Sequence, residues 1–262
     1  MPIAEVRGAR IAYDDTGGNG PPVILAHGFL MDRSMFAPQV EALEATHRVI
    51  TWDERGWGDT DYDGEPFTYW DSAADCLGLL DHLRIDRAVV GGMSQGGFVS
   101  LRVALTAPER VRGLILIDTQ AGTELAEVLP LYQGLIDEWV ATGPSEATIE
   151  LVASLILGPA EVAAPFIAKW RERPKEGMAQ PSVTLMTRDD VTDRLGEITA
   201  PALVLHGDAD AAIGMDKAEE LAAGLSGAEG VTVIPGGSHA ANLTHPAEAN
   251  AAIHGFLGSL PD

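Results

Sequence analysis

Six short segments of the chain are apolar through most of their length and show no polar–apolar alternation: Val23–Ala26, Arg48–Trp52, Ala88–Gly92, Val111–Ile117, Ala202–Leu205 and Val231–Ile234. A strand with one face in water alternates, so runs of this kind point to strands covered on both faces, as in a parallel sheet. Helical patterns lie between them. Tyr69, Ala73, Leu77, Leu80 and Leu83 fall on one helix face behind a Thr68-x-x-Asp71 capping box. A second helix covers Phe98–Leu105 and stops at Pro108, and a last one carries Pro246 and Glu248 in its first turn. Strands alternating with helices give an α/β domain with a mainly parallel central sheet flanked by helices. Ile3–Asp15 departs from the pattern and reads as an antiparallel hairpin at the sheet edge, turning near Gly8.

The alternation breaks between Ala121 and Gly196, where no strand pattern occurs. Glu124–Val140, Ser145–Leu157, Glu161–Arg171 and Ser182–Leu195 all read as helices, separated by Pro and Gly. The expectation is a core domain built from residues 1–120 and 197–262, with residues 121–196 inserted as a helical cap.

The strongest chemical signal is Gly92-Met93-Ser94-Gln95-Gly96, directly after one apolar run and directly before a helix. Turning a strand sharply into a helix strains the middle residue and lifts its side chain clear of the backbone at the positive helix end. Ser94 is therefore the candidate nucleophile. A serine hydroxyl needs a base, and that base needs an orienting carboxylate. His239, in a glycine-rich loop after the last apolar run, is the leading base, with His245 as competitor. Asp210, Asp208 and Asp118 all follow apolar runs and can supply the acid. His27 and His206 precede glycines and read as packed residues, whereas His47, His82 and His254 read as surface residues.

With these motifs the chain resembles the α/β-hydrolase family. The resemblance is carried by His27-Gly28-Phe29, the run Asp53-Glu54-Arg55-Gly56-Trp57-Gly58, the Ser94 turn, His206-Gly207-Asp208-Ala209-Asp210 and Gly237-Ser238-His239. It is most similar to the small capped members that include esterases, enol-lactonases and cofactor-free perhydrolases. The family's chain order of nucleophile, acid and base implies Ser94, Asp210 and His239. It also implies an oxyanion hole made by the backbone N–H groups of Gln95 and Phe29. Relatives often carry an apolar residue where this chain has Gln95. The Gln95 amide either lines the pocket or makes a hydrogen bond behind it. Leu30, Trp139, Phe166, Trp170, Met178 and Met186 are the candidate pocket residues.

Composition limits the partners. A formal net charge of −22 sets the chain against nucleic acid and anionic membrane surfaces. A lone cysteine, Cys76, cannot form an internal disulfide and sits at helical spacing among apolar residues. No basic region followed by an apolar run opens the chain, and no apolar stretch approaches the roughly 18 residues of a membrane span. A cytoplasmic protein without nucleic-acid or membrane partners is expected, as monomer or homo-oligomer. Asp208, Asp210 and Asp216 lack calcium-loop spacing, and no dinucleotide fingerprint occurs, so neither metal nor cofactor is expected. A serine in place of an aspartate nucleophile argues against dehalogenase and epoxide-hydrolase chemistry. The expected activity is hydrolysis of a small-molecule carboxylic ester or lactone. C–C bond hydrolysis or perhydrolysis by the same residues, and ligand binding without turnover, are the alternatives.

Overall fold

The computed structural model describes residues 1–123 and 127–261. In chain order the strands and helices are β1 (Ile3–Val6), β2 (Ala9–Asp15), β3 (Pro22–Ala26), α1 (Ala37–Leu43), β4 (Arg48–Trp52), β5 (Asp61–Tyr62), α2 (Tyr69–His82), β6 (Ala88–Met93), α3 (Gln95–Thr106), β7 (Val111–Ile117), α4 (Leu129–Thr142), α5 (Glu146–Ile156), α6 (Ala160–Glu172), α7 (Ala179–Met186), β8 (Ala202–Gly207), α8 (Met215–Gly224), β9 (Ala228–Ile234), α9 (Ala241–Thr244) and α10 (Pro246–Ser259).

One sheet runs in the order β1-β2-β4-β3-β6-β7-β8-β9, with β5 beside β2. From β4 to β9 every pairing is parallel, while β2 meets β1, β4 and β5 antiparallel. Successive side chains of a strand point to opposite faces, and here both faces are covered. Ile24 and Ala26 pack with α2, α3 and α8, whereas Val23 and Leu25 pack with α1 and α10. This two-sided burial is why β3, β4, β6, β7 and β8 read as mostly apolar runs. The last strand of the sheet, β9, departs from the expectation: of Val231–Ile234 only Ile234 is buried and Val233 is 45% exposed, because a strand at the sheet edge is covered less completely. Strand order reverses between β3 and β6, which opens a crevice beyond their carboxyl ends, the usual place for a ligand in an open α/β sheet.

The amino-terminal hairpin turns at Arg7-Gly8 and lies at the sheet edge, as its pattern predicts. Thr68 and Asp71 form both bonds of the capping box that opens α2. Cys76 is buried on that helix. Between β7 and β8 the described residues contain helices and no strand. One helix reads differently from its sequence pattern. The segment Ser182–Leu195 is not continuous: α7 ends at Met186 and a 3-10 turn covers Thr192–Glu197. Local side chains compete for the chain there. Asp190 Oδ1 takes the Thr192 N–H at 2.8 Å, Arg188 bonds the Gly122 carbonyl, and Asp189 pairs with Arg102 at 2.7 Å. The expected helix Glu124–Val140 begins at Leu129, and residues 124–126 lie outside the described residues. No described helix is long and apolar enough to cross a membrane.

Candidate active site

Ser94 lies among the loops that follow β3, β7, β8 and β9 at the carboxyl edge of the sheet. This residue is the single position between β6 and α3, and its backbone is left-handed, with φ 50° and ψ −111°. Such a conformation costs roughly 1–3 kcal/mol for a non-glycine residue and needs support from its surroundings. The Ser94 N–H bonds the Ile117 carbonyl at 2.8 Å, and the Ser94 carbonyl accepts from Gly97 N at 2.8 Å and Thr119 Oγ1 at 2.7 Å. Gly96 is required because a Cβ there would run into the Ala26 carbonyl of the neighbouring strand.

His239, after β9, places Nε2 3.0 Å from Ser94 Oγ and Nδ1 2.8 Å from Asp210 Oδ2. A carboxylate only accepts, so Nδ1 carries the proton and Nε2 accepts from the serine hydroxyl. Asp210, after β8, takes the Ala212 and Ile213 N–H groups on its other oxygen at 2.8 and 2.9 Å. Burial pushes this carboxyl upward, but His239 and the two N–H groups outweigh it and hold the group below the ordinary carboxylate range. Asp210 is therefore ionised near neutral pH.

The other acids and bases weighed from sequence have different surroundings. Asp118 is fully buried, and its two oxygens accept from Gly207 N and Ala241 N, each at 2.8 Å. Burial, with Asp210 nearby, pushes it up to about 8 against the pull of His239 and these N–H groups. Asp208 bonds Gly236 N at 2.6 Å and clamps the turn after β9. His245 stands at the start of α10 and bonds Thr244 through Nδ1. His27 is fully buried, with Nδ1 2.8 Å from the Gly28 carbonyl and Nε2 accepting from Glu54 N at 3.1 Å. His206 is equally buried, with Nε2 3.0 Å from the Ile213 carbonyl and 3.4 Å from Asp210 Oδ2. Among the described residues, Asp118, His206 and Asp210 form a group whose ligand-type atoms lie within 4.8 Å of one another. Their carboxylate oxygens are already engaged by the four backbone N–H groups and by His239.

Gln95 follows Ser94 directly, and Phe29 borders the same cavity as Ser94. Gln95 opens α3, so its N–H is among those without an intrahelical acceptor. Phe29 follows β3 in a turn closed by Met31 N to the Gly28 carbonyl at 3.1 Å. Leu30 within that turn is also left-handed, with φ 64°. Its carbonyl accepts from the Trp170 indole of α6 at 2.6 Å.

The Gln95 side chain does not line the pocket. It is buried beneath the turn, donating to Glu54 Oε1 at 3.0 Å and accepting from the Tyr69 hydroxyl at 3.1 Å. Burial pushes Glu54 up to about 8, so it is held mostly as the neutral acid at pH 7. The sequence reading did not single out Glu54 as a partner of Gln95. The contact is made across 41 residues, so no local pattern marks it.

Above Ser94 lies a cavity of about 940 Å³, counted with its opening. Its floor is Ser94, His239, Phe29, Leu30, Met31 and Met93, and its far wall comes from α4 and α5. Of the six pocket candidates, Leu30, Trp139 and Met178 line it, and Phe166, Trp170 and Met186 do not. Phe166 and Trp170 are packed into the interior instead, with Trp170 edge-on to Trp139 at 6.0 Å. Tyr132, Leu135, Ile136, Val152, Leu155 and Ile156 line the cavity and escaped the sequence reading. Their signal was helical spacing: Tyr132, Leu135, Ile136 and Trp139 fall at i, i+3, i+4 and i+7.

Comparison with known proteins gives a consistent picture. The profile of the family described as alpha/beta hydrolase fold matches residues 21–246. A thermophilic esterase from Thermogutta terrifontis is 30% identical and superposes with a TM-score of 0.87, covering 98% of this chain and 97% of its own. The enol-lactonase of Burkholderia xenovorans LB400 is 28% identical with a TM-score of 0.88, over 98% and 100% of the two chains. A protein of Azorhizobium caulinodans, provisionally named a carbamate hydrolase, is 29% identical over 99% of both chains.

Proposed function

Since the chain belongs to the α/β-hydrolase fold family, we propose that it is a serine hydrolase that cleaves small-molecule carboxylic esters or lactones through an acyl-enzyme on Ser94. The observation that carries this reading is the hydrogen-bonded series from Ser94 Oγ through His239 to Asp210, at the floor of an apolar cavity. In acylation, Ser94 Oγ bonds to the substrate carbonyl carbon and its proton passes to His239 Nε2. The negative charge on the carbonyl oxygen is taken by the Gln95 and Phe29 N–H groups. Collapse breaks the bond to the leaving oxygen, which takes the proton from His239. Water then repeats the sequence and frees Ser94. Asp210 stays ionised throughout, holds the His239 tautomer and offsets the imidazolium charge.

We assign residues 121–196 to a cap over a core of residues 1–120 and 197–262. The cavity supports this division, because α4, α5 and α7 supply its walls and the sheet loops supply its floor. Enol-lactonase and esterase relatives favour ester and lactone carbonyls. The carbamate-hydrolase name of another relative makes a carbamate carbonyl the second substrate to try. The test is turnover of a short p-nitrophenyl ester by wild type and Ser94→Ala, with labelling of Ser94 by a serine-reactive phosphonate. Turnover that survives in Ser94→Ala refutes the proposal. So does tight ligand binding by a wild-type protein that neither hydrolyses nor labels.

A further inference from the structure

On the reading of Ser94 as nucleophile, we infer that the site takes uncharged, apolar acyl groups and rejects acyl groups that end in a carboxylate. Among the described residues no Lys, Arg, Asp or Glu lines the cavity; the polar side chains on its wall are those of Ser94, His239, Tyr132 and Trp139, the last with its indole N–H buried. The undescribed residues 124–126 read Glu-Leu-Ala and add no cation. The helices of the far wall reinforce this. Helix α4 carries Asp137 and Glu138, α5 carries Glu146 and Glu150, and neither carries a Lys or Arg.

The cations on neighbouring segments are committed elsewhere. Arg188 lies 4.3 Å from the centre of the Phe98 ring and donates to the Leu185 and Gly122 carbonyls. Lys169 pairs with Asp32 at 2.6 Å. Arg173 stacks on Trp57 at 4.2 Å. A carboxylate driven into this cavity loses its water and gains no counter-charge, and the nearest fixed charges on the wall helices are also negative. A methylene chain there loses nothing and removes apolar wall from water.

The experiment compares p-nitrophenyl hexanoate with the mono-p-nitrophenyl ester of adipic acid, which has the same six-carbon acyl chain ending in a carboxylate. The expected result is a kcat/KM for the adipyl ester lower by roughly 100-fold or more, a penalty that persists at high salt because desolvation is not screened. Ile136→Lys places a cation on the wall, with a stem long enough to keep the ammonium near water, and is expected to narrow the gap to about tenfold. Adipyl turnover within about fivefold of the hexanoyl ester, or a gap that vanishes at high salt, overturns the inference. Labelling of Ser94 by a neutral alkyl phosphonate and by its ω-carboxylate analogue gives the same comparison without turnover. Equal labelling rates overturn the inference alone. Failure of both esters and both phosphonates overturns the hydrolase reading together with it.

Discussion

Trp170→Phe tests whether the helices over the cavity set the geometry of the chemistry beneath them. The substitution keeps an aromatic ring against Trp139 and removes one donor, the indole N–H that bonds the Leu30 carbonyl at 2.6 Å. Leu30 is buried, so a lost partner leaves its oxygen unsatisfied at a cost of roughly 1–3 kcal/mol. The same residue holds a left-handed backbone that itself costs roughly 1–2 kcal/mol. Two contacts oppose that strain: the Met31-to-Gly28 turn bond and the indole. On the oxyanion role proposed for Phe29, loss of the indole lets the turn relax and carries this N–H away from the carbonyl oxygen of the substrate. Loss of one oxyanion donor lowers kcat by about 100-fold to 1,000-fold, and partial displacement falls below that, so a drop of at least about tenfold is expected. KM is expected to change little, because Trp170 does not line the cavity. The melting temperature is expected to fall by a few degrees, at about 2–4 °C per kcal/mol for a chain of this size. Steady-state kinetics on a neutral p-nitrophenyl ester and thermal melts supply the readouts. Adding Leu30→Gly removes the backbone strain and should restore part of kcat. A Trp170→Phe enzyme that melts lower but keeps its full kcat refutes the coupling.

Asp210→Ala should lower kcat by about 10⁴-fold without rescue by Asp118, whose oxygens hold Gly207 and Ala241; activity above a tenth of wild type in ester turnover would show that Asp118 takes over. Glu54 has a folded pKa raised to about 8 from 4.5, so the native state keeps a proton that the unfolded chain releases. Its contribution to stability is full below the unfolded value and is lost as pH rises through about 8. Glu54→Gln should therefore gain stability relative to wild type across that range in denaturant titrations, and parallel curves for the two proteins would contradict the assignment. Gly96→Ala forces a methyl group into the Ala26 carbonyl and should prevent accumulation of folded protein, read by circular dichroism and soluble yield.

Much of the architecture was legible because burial on both faces leaves a plain trace in sequence. Ile24, Leu25, Leu114 and Ile115 lie on strands whose two faces are both covered, and the sequence is apolar there for that reason. The residues brought to Ser94 were legible for a different reason, since each stands at the carboxyl end of such a strand. What escaped depends on contacts between distant segments. Nothing local distinguishes Asp210 from Asp208; the difference is that one meets His239 and the other meets Gly236 N. Trp139 and Trp170 both look like pocket aromatics, and only the packing of α4 against α6 decides which ring reaches the cavity. The break in Ser182–Leu195 likewise follows from Arg102 and Gly122, which draw Asp189 and Arg188 out of helical register.

The carboxyl-terminal end of α6 has a consequence for the site. Lys169 reaches Asp32 and Ser34, Trp170 reaches Leu30, and Arg173 reaches the Gly56 carbonyl, so this end is stapled to the loops after β3 and β4. The bonds described for α4 run instead to its own helix and to neighbours above the sheet, such as Glu138 to Ser145 and Thr148. A change made at that end of α6 therefore reaches the loops after β3 and β4 directly, through its four bonds.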